Sequence, residues 1–302
     1  MTEMPLRKRI LIIHNPTSGR GDRLRVAAVE NRLQKSGATP MTMATERPGH
    51  AIDIAMKATR EDWDAVVAAG GDGTVNEVIN GLARSESPPP LGLIPLGTAN
   101  VLSLEIGLDR SAETQAKTIA FGDTLDFQPG ILDAGTEKER LFSLMAGAGF
   151  DARVVASIRP KEKKLWGKGA YILQAIRALS TPHTSPVEIR VDGQDYHAGS
   201  VIIMNARHYA GPYKAAPEHE LSKPGFHVLL LKGGRWNTVR QALALAQNRL
   251  HKQANVILAD SVSLSGPHGA PIQLDGDNAS KLPATVSVSS VSIRLIVPQH
   301  PK

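Results

Sequence analysis

Val66-Val67-Ala68-Ala69-Gly70-Gly71-Asp72-Gly73-Thr74-Val75-Asn76-Glu77-Val78-Ile79-Asn80-Gly81-Leu82 is the stretch that decides the fold of this chain. Four apolar residues run straight into Gly-Gly-Asp-Gly-Thr, and Val75, Val78, Ile79 and Leu82 then recur at helical spacing. The layout predicts a buried strand, a glycine turn and a helix from Val75. Such a turn brings bare backbone N–H groups to a helix N-terminus, where phosphate binds well. Asp72 lies inside the turn, where a carboxylate can hold a divalent cation that neutralises phosphate charge. The stretch points to a nucleotide triphosphate.

Upstream and downstream of it, strands and helices alternate. Ile10–Ile13, Met41–Ala44, Ala65–Ala69 and Leu91–Ile94 read as strands. Arg23–Lys35, Ala51–Thr59, Val75–Arg84, Asn100–Ile106 and Ala112–Phe121 read as helices. This rhythm predicts a parallel sheet flanked by helices, with ligands beyond the carboxyl ends of the strands. Three polar or glycine-rich turns fall on that edge: Asn15–Gly21, Gly70–Thr74 and Pro95–Asn100. Each alone is ambiguous, since Asp22 or Thr98 could simply cap a helix. Three on one edge are much harder to ascribe to chance.

From about residue 124 the pattern changes. Val187, Ile189 and Val191 alternate with polar residues and meet Asp192-Gly193, a hairpin signal. Val201–Met204, His227–Leu231, Val256–Leu264, Pro271–Leu274 and Thr285–Val297 also read as strands, with helices near Gly169–Leu179 and Trp236–Leu250. A mostly antiparallel β domain is expected, with a boundary near residue 130.

The bulk properties narrow the chemistry. The 302 residues suffice for two domains, and 41% hydrophobic with 21% charged residues describes a globular chain. The absence of cysteine excludes disulfides, a thiol nucleophile and a Cys-based zinc site, and fits a reducing compartment. A net charge of +6 favours anionic partners. Ile10–Ile13 is too short for a signal core, and no run reaches membrane-spanning length, so a cytoplasmic protein that visits a membrane surface is expected. Neither a Walker A lysine motif nor H-E-x-x-H is present. Glu218-His219-Glu220 reads as solvated surface. Gly147–Ala152 matches G-x-G-x-x-A but lies outside the alternating region and lacks the acid about twenty residues on, so it is discounted as a dinucleotide site.

Two further stretches carry chemistry or a bland alternative. Asp275-Gly276-Asp277 could supply a general base and a second acid, or be a plain hairpin turn like Asp192-Gly193. Arg153–Lys168 holds six basic residues against Glu162, with Trp166 inside it and Tyr171 beyond. It suits an anionic membrane surface or a solvated loop.

Five motifs occur in order: Asn15-Pro16-Thr17-Ser18-Gly19, Gly70–Thr74 with Asn76-Glu77, Pro95-Leu96-Gly97-Thr98-Ala99-Asn100, Gly149-Phe150-Asp151-Ala152 and Leu274-Asp275-Gly276-Asp277. Together they resemble the diacylglycerol kinase catalytic family, which includes bacterial lipid kinases and the sphingosine and ceramide kinases. The resemblance covers nearly the whole chain. It implies an α/β plus all-β fold: a parallel-sheet nucleotide-binding domain over residues 1–130, and a mostly antiparallel β-sandwich over 131–295 that takes the lipid. The nucleotide would lie in the cleft between them, and Ile296–Lys302 would return to the first domain.

The same resemblance implies ATP and Mg²⁺ as cofactors and a lipid hydroxyl as acceptor. Carried over by motif, Asn15, Pro16, Thr17, Ser18, Gly19, Thr45, Gly71, Asp72, Gly73, Thr74, Val75, Asn76, Glu77 and Thr98 would contact ATP. Thr45 rests only on the short pattern Thr45–Ala51. Asp72 and Asp126 would belong to a magnesium network. Asp277 stands where the family usually has Glu and would accept the hydroxyl proton, with Asp275 assisting or itself the base. Two positions depart from the pattern. Val101-Leu102-Ser103-Leu104 replaces an acid and an arginine, and Pro224-Gly225 replaces the Asp-Gly of a structural magnesium site, so that metal is not expected.

Two rivals remain at this point: an NAD kinase-like enzyme, and a nucleotide-binding regulator without turnover. No nucleic-acid recognition motif supports DNA binding. The lipid and the oligomeric state stay open, a homodimer included.

Overall fold

A computed structural model describes residues 6–18, 22–135, 139–157 and 186–299. The helix expected near Gly169–Leu179, the basic residues 159–168 and Gly19 of the first turn lie outside the described residues. The chain forms two compact units, residues 1–128 with 291–302, and residues 129–290.

The first unit is built on one six-stranded sheet. Its order is Thr39–Ala44, Arg9–His14, Ala65–Gly70, Leu91–Pro95, Ile293–Val297 and Asp123–Phe127. The first five run parallel and the last antiparallel. Ala65–Gly70 lies inside the sheet and is buried throughout, which is why its sequence is an uninterrupted apolar run rather than an alternation. The outermost strand, Thr39–Ala44, is mostly exposed, and its Thr-Pro-Met-Thr-Met-Ala sequence has no buried face. The helix Asp22–Lys35 turns Val26, Val29 and Leu33 into the core. There they meet Ile10, Ile12, Val67 and Ile94. The strand that returns from the end of the chain joins at Ile293, and the crossing back to this unit falls at Val291, ahead of the expected Ile296.

The second unit is a sandwich of two six-stranded sheets with antiparallel pairings. One runs Gln194–Ala198, Val187–Val191, Ser261–Ser265, Ala284–Val288, Gly130–Asp133, Arg140–Phe142; the other runs Asn255–Ala259, Phe226–Leu231, Ser200–Met204, Met145–Gly149, Pro271–Leu274, Asp277–Lys281. Phe142 and Phe226 come from opposite sheets and stack with centroids 5.9 Å apart, inside the core that both inner faces share.

Several boundaries differ from the expectation, each for a local reason. Val256–Leu264 is two strands that break at Asp260 and belong to different sheets. Thr285–Val297 is likewise two strands, Ala284–Val288 in the sandwich and Ile293–Val297 in the parallel sheet. The central helix starts at Asp72 rather than Val75, with Gly71 as its N-cap. His219 is buried, its Nδ1 3.3 Å from Nδ1 of His227, so only its two glutamate neighbours are surface residues. Among the described residues, no helix is long and apolar enough to cross a membrane.

Candidate active site

The carboxyl edge of the parallel sheet gathers the predicted nucleotide loops. Asn15, just beyond the first strand, is the hub. Its N–H donates to the Ala69 carbonyl at 3.0 Å, and its Nδ2 donates to Thr74 Oγ1 at 3.1 Å. Its Oδ1 accepts from the Thr17 N–H at 3.0 Å and the Thr17 hydroxyl at 2.9 Å. One side chain thus ties its own turn to the helix that starts at Asp72. Pro16 and Thr17 remain exposed, and Ser18 donates its N–H to the Asn15 carbonyl.

The second and third loops meet through glycine. A Cβ on Gly97 would lie 2.6 Å from Gly71 Cα, and one on Gly71 would lie 3.3 Å from Gly97 Cα. Backbone packs on backbone there, and any side chain at Gly97 would force the loops apart. The Leu96 N–H donates to the Gly70 carbonyl at 2.9 Å. Asn100 clamps its own loop, accepting from the Gly97 N–H at 2.8 Å and donating to the Gly97 carbonyl at 2.6 Å. It is also the N-cap of the helix Val101–Glu105, in the left-handed conformation at φ 49°, which Asn tolerates better than most residues. Thr98 is therefore not the cap; it is exposed at the loop tip.

The helix Asp72–Leu82 has no side-chain cap. An uncapped start presents backbone N–H groups and the positive end of the helix dipole, a seat for phosphate. Asp72 Oδ1 accepts from the Val101 N–H at 2.6 Å, which orients the carboxylate. Val101, one of the two departures from the family pattern, is buried, while Leu104 is exposed. In the same helix Thr74 and Val75 are buried, Asn76 is half-buried, and Glu77 Oε1 accepts from the Gly49 N–H at 3.0 Å. Thr45 begins the loop that Glu77 holds, and its N–H donates to the His14 carbonyl at 2.8 Å. Sequence reasoning missed two supports here. Arg25 Nη1 donates to the Pro95 carbonyl at 3.3 Å. His14 is buried with Asp22 as its main charged neighbour, and burial lowers the imidazole pKa while raising that of the Asp22 carboxyl. Neither residue belongs to a recognisable local motif.

Asp126 lies on the strand Asp123–Phe127 of the same sheet. It lies opposite Arg294 in the antiparallel pair at the far edge of the sheet. Three strand spacings separate its strand from Ala65–Gly70, roughly 14 Å at about 4.8 Å each. Among the described residues no group of three His, Cys, Asp or Glu side chains could hold a metal by itself.

In the sandwich, Asp275-Gly276 is a two-residue hairpin turn between Pro271–Leu274 and Asp277–Lys281, with φ of 49° and 82°. Asp192-Gly193 makes the same turn, with φ of 50° and 78°. Their carboxylates part company. Asp275 Oδ2 accepts from the Ser143 N–H at 2.8 Å and the Ser143 hydroxyl at 3.0 Å. Oδ1 accepts from the N–H groups of Leu144 at 2.8 Å and Met145 at 2.9 Å. Burial pushes the Asp275 carboxyl above its ordinary pKa, against the pull of these four donors. With both oxygens engaged, Asp275 ties this turn to Ser143, Leu144 and Met145. Asp277, the first residue of the outgoing strand, is exposed two residues on.

Residues 9–131 match the family model described as the diacylglycerol kinase catalytic domain, and residues 145–297 match a YegS C-terminal NAD kinase beta sandwich-like domain. The chain belongs to the diacylglycerol kinase catalytic family. It is 28% identical to a Bacillus subtilis protein named diacylglycerol kinase, covering 97% of both chains. A Staphylococcus carnosus protein of the same name is also 28% identical, over 98% of this chain and 97% of its own. The fold is shared with a crystal structure of a diacylglycerol kinase from Bacillus anthracis, with a TM-score of 0.77 at 22% identity over 96% and 97% of the two chains. Family membership accounts for the order of the motifs. The residue contacts above show which of them are scaffold and which present polar groups.

Proposed function

We propose that this protein is a lipid kinase that uses ATP and magnesium to phosphorylate the hydroxyl of a diacylglycerol-like acceptor. The observation that carries the reading is the uncapped helix start at Asp72, packed against Gly97 and tied to Asn15. This arrangement fits a triphosphate because only glycine permits so close an approach of two loops, and the first-turn N–H groups complement anionic oxygens. Magnesium–ATP, when bound, supplies the phosphoryl group and neutralises part of its charge. Asn15, Pro16, Thr17, Ser18 and Thr98 line the loops that would hold the nucleotide, and Gly71–Glu77 form the helix start. Gly19 completes the first motif by sequence. Asp72 offers a carboxylate to the cation, whose other ligands would be phosphate oxygens and water.

Asp277 is the proton acceptor in this reading. Its place after a rigid turn, with Asp275 locked to Ser143, Leu144 and Met145, gives the carboxylate a defined origin. The full-length likeness to proteins named diacylglycerol kinase supports a lipid acceptor and working contact with a membrane. Labelled ATP incubated with the protein and a total lipid extract tests the reading. A labelled lipid product is expected; a labelled soluble dinucleotide in a parallel incubation with NAD, and no labelled lipid, would refute it.

A further inference from the structure

From Val228 to Ala259 the chain contains no Asp or Glu, yet it carries Lys232, Arg235, Arg240, Arg249 and Lys252. The fold concentrates this charge. A cavity of about 620 Å³ opens at the edge of the sandwich, between the strand Gln194–Ala198 of one sheet and the Phe226–Leu231 and Asn255–Ala259 strands of the other. The helix Arg235–Ala246 forms its rim. His197, Lys232, Arg240 and Lys252 line it, and among the described residues no carboxylate does. The nearby Asp195 is committed to Arg190, with both carboxylate oxygens accepting from the guanidinium.

Beside this basic mouth the same helix raises an apolar ridge. Trp236, Arg240 and Leu243 follow at i, i+4 and i+7 and so share one stripe. Trp236 is 81% exposed and Leu243 60% exposed. An exposed tryptophan on a helix whose neighbours are cationic is costly in water and favourable at a membrane interface, where the ring sits among headgroups.

We propose that this edge of the sandwich is the surface by which the protein docks on an anionic phospholipid bilayer. Trp236 and Leu243 enter the interface, and the pocket of Lys232, Arg240 and Lys252 receives a headgroup phosphate. The proposal rests on the lipid-kinase reading only in supplying a reason to visit membranes. A second copy of the chain is the weaker occupant, because a symmetric contact would set this acid-free face against itself. An anionic bilayer meets it with the opposite charge.

The test is cosedimentation of the full chain with vesicles of pure phosphatidylcholine and of phosphatidylcholine with 30% phosphatidylglycerol. Two variants are compared: Lys232→Gln/Arg240→Gln/Lys252→Gln, and Trp236→Ser/Leu243→Ser. All five positions are exposed, so the substitutions remove little packing. Unchanged phosphorylation of a short-chain, water-soluble acceptor provides a check on folding. Each basic residue near such a surface is worth about fivefold in partition, so the triple change lowers binding to anionic vesicles about 100-fold. The apolar change lowers it about tenfold. Raised salt weakens the wild type and has little further effect on the charge variant. Equal binding by wild type and both variants overturns the proposal. So does a loss produced only by Lys161→Gln/Lys163→Gln/Lys164→Gln in the other basic segment, or a dimer in ultracentrifugation that Trp236→Ser/Leu243→Ser dissociates. Absence of phosphorylation of any lipid would sink the kinase reading but leave the vesicle result to decide this surface.

Discussion

Replacing Asp275 separates a structural carboxylate from a catalytic one. In Asp275→Asn, one oxygen remains to accept from Leu144 and Met145, while the amide nitrogen faces Ser143. The Ser143 hydroxyl can turn and accept from that nitrogen, but the Ser143 N–H cannot, so one backbone donor loses its partner. The expected cost is about 2 kcal/mol. Asp275→Ala strips all four donors of their acceptor and places a Cβ residue without a polar side chain at φ 49°. Its expected cost is about 4 kcal/mol. Asp192→Asn is the control. It stands in the same turn at φ 50°, and its substitution costs less than about 0.5 kcal/mol, as for an ordinary surface change. Urea unfolding followed by far-UV circular dichroism ranks the three. Equal stability of Asp275→Asn and Asp192→Asn, with kcat lost only in the former, would refute the anchor role and return Asp275 to the chemistry.

Other predictions follow from the same contacts. Asp72→Asn keeps an oxygen for the Val101 N–H, so unfolding shows a loss below about 1 kcal/mol. Activity at saturating magnesium falls at least about 100-fold, because the charge offered to the cation is gone. Gly97→Ala puts a methyl 2.6 Å from Gly71 Cα; nucleotide titration shows ATP affinity at least about tenfold weaker, while the sandwich melts unchanged. Burial holds the His14 pKa below its ordinary value near 6.5. The unfolded chain therefore binds more protons than the native one as pH falls through 6.5 toward that lowered value. This contribution to stability is present at neutral pH and is lost on acidification. His14→Gln flattens the slope of stability against pH in that window, and an unchanged slope would remove His14 from the titration.

The parallel sheet and its loops were legible because periodicity and punctuation coincided. Val66–Ala69 is apolar on both faces and stops at glycine, and Val26, Val29 and Leu33 keep helical spacing into the core. The hairpin at Asp192-Gly193 was legible for the same reason. The breaks at Asp260 and between Val288 and Ile293 were not. There the chain passes from one sheet to another while its β-forming composition continues, and no glycine or proline marks the corner. Asp72 reads as a turn residue by composition, yet it opens the helix because Gly71 takes the cap. Asp275 and Asp192 share a dipeptide and a turn; what distinguishes them is a row of donors at Ser143–Met145, 130 or more positions away. Local sequence contains no trace of that difference.

The central claim is phosphoryl transfer to a lipid hydroxyl with Asp277 as proton acceptor. Its most direct test is steady-state kinetics of the wild type and Asp277→Asn on diacylglycerol in mixed micelles, with ATP varied. The wild type is expected to form phosphatidate. Asp277→Asn is expected to show a kcat about 100-fold lower or more, with KM for ATP nearly unchanged, since a general base acts on the transition state and not on nucleotide binding. Full kcat in Asp277→Asn, or a rise confined to KM for ATP, would contradict it.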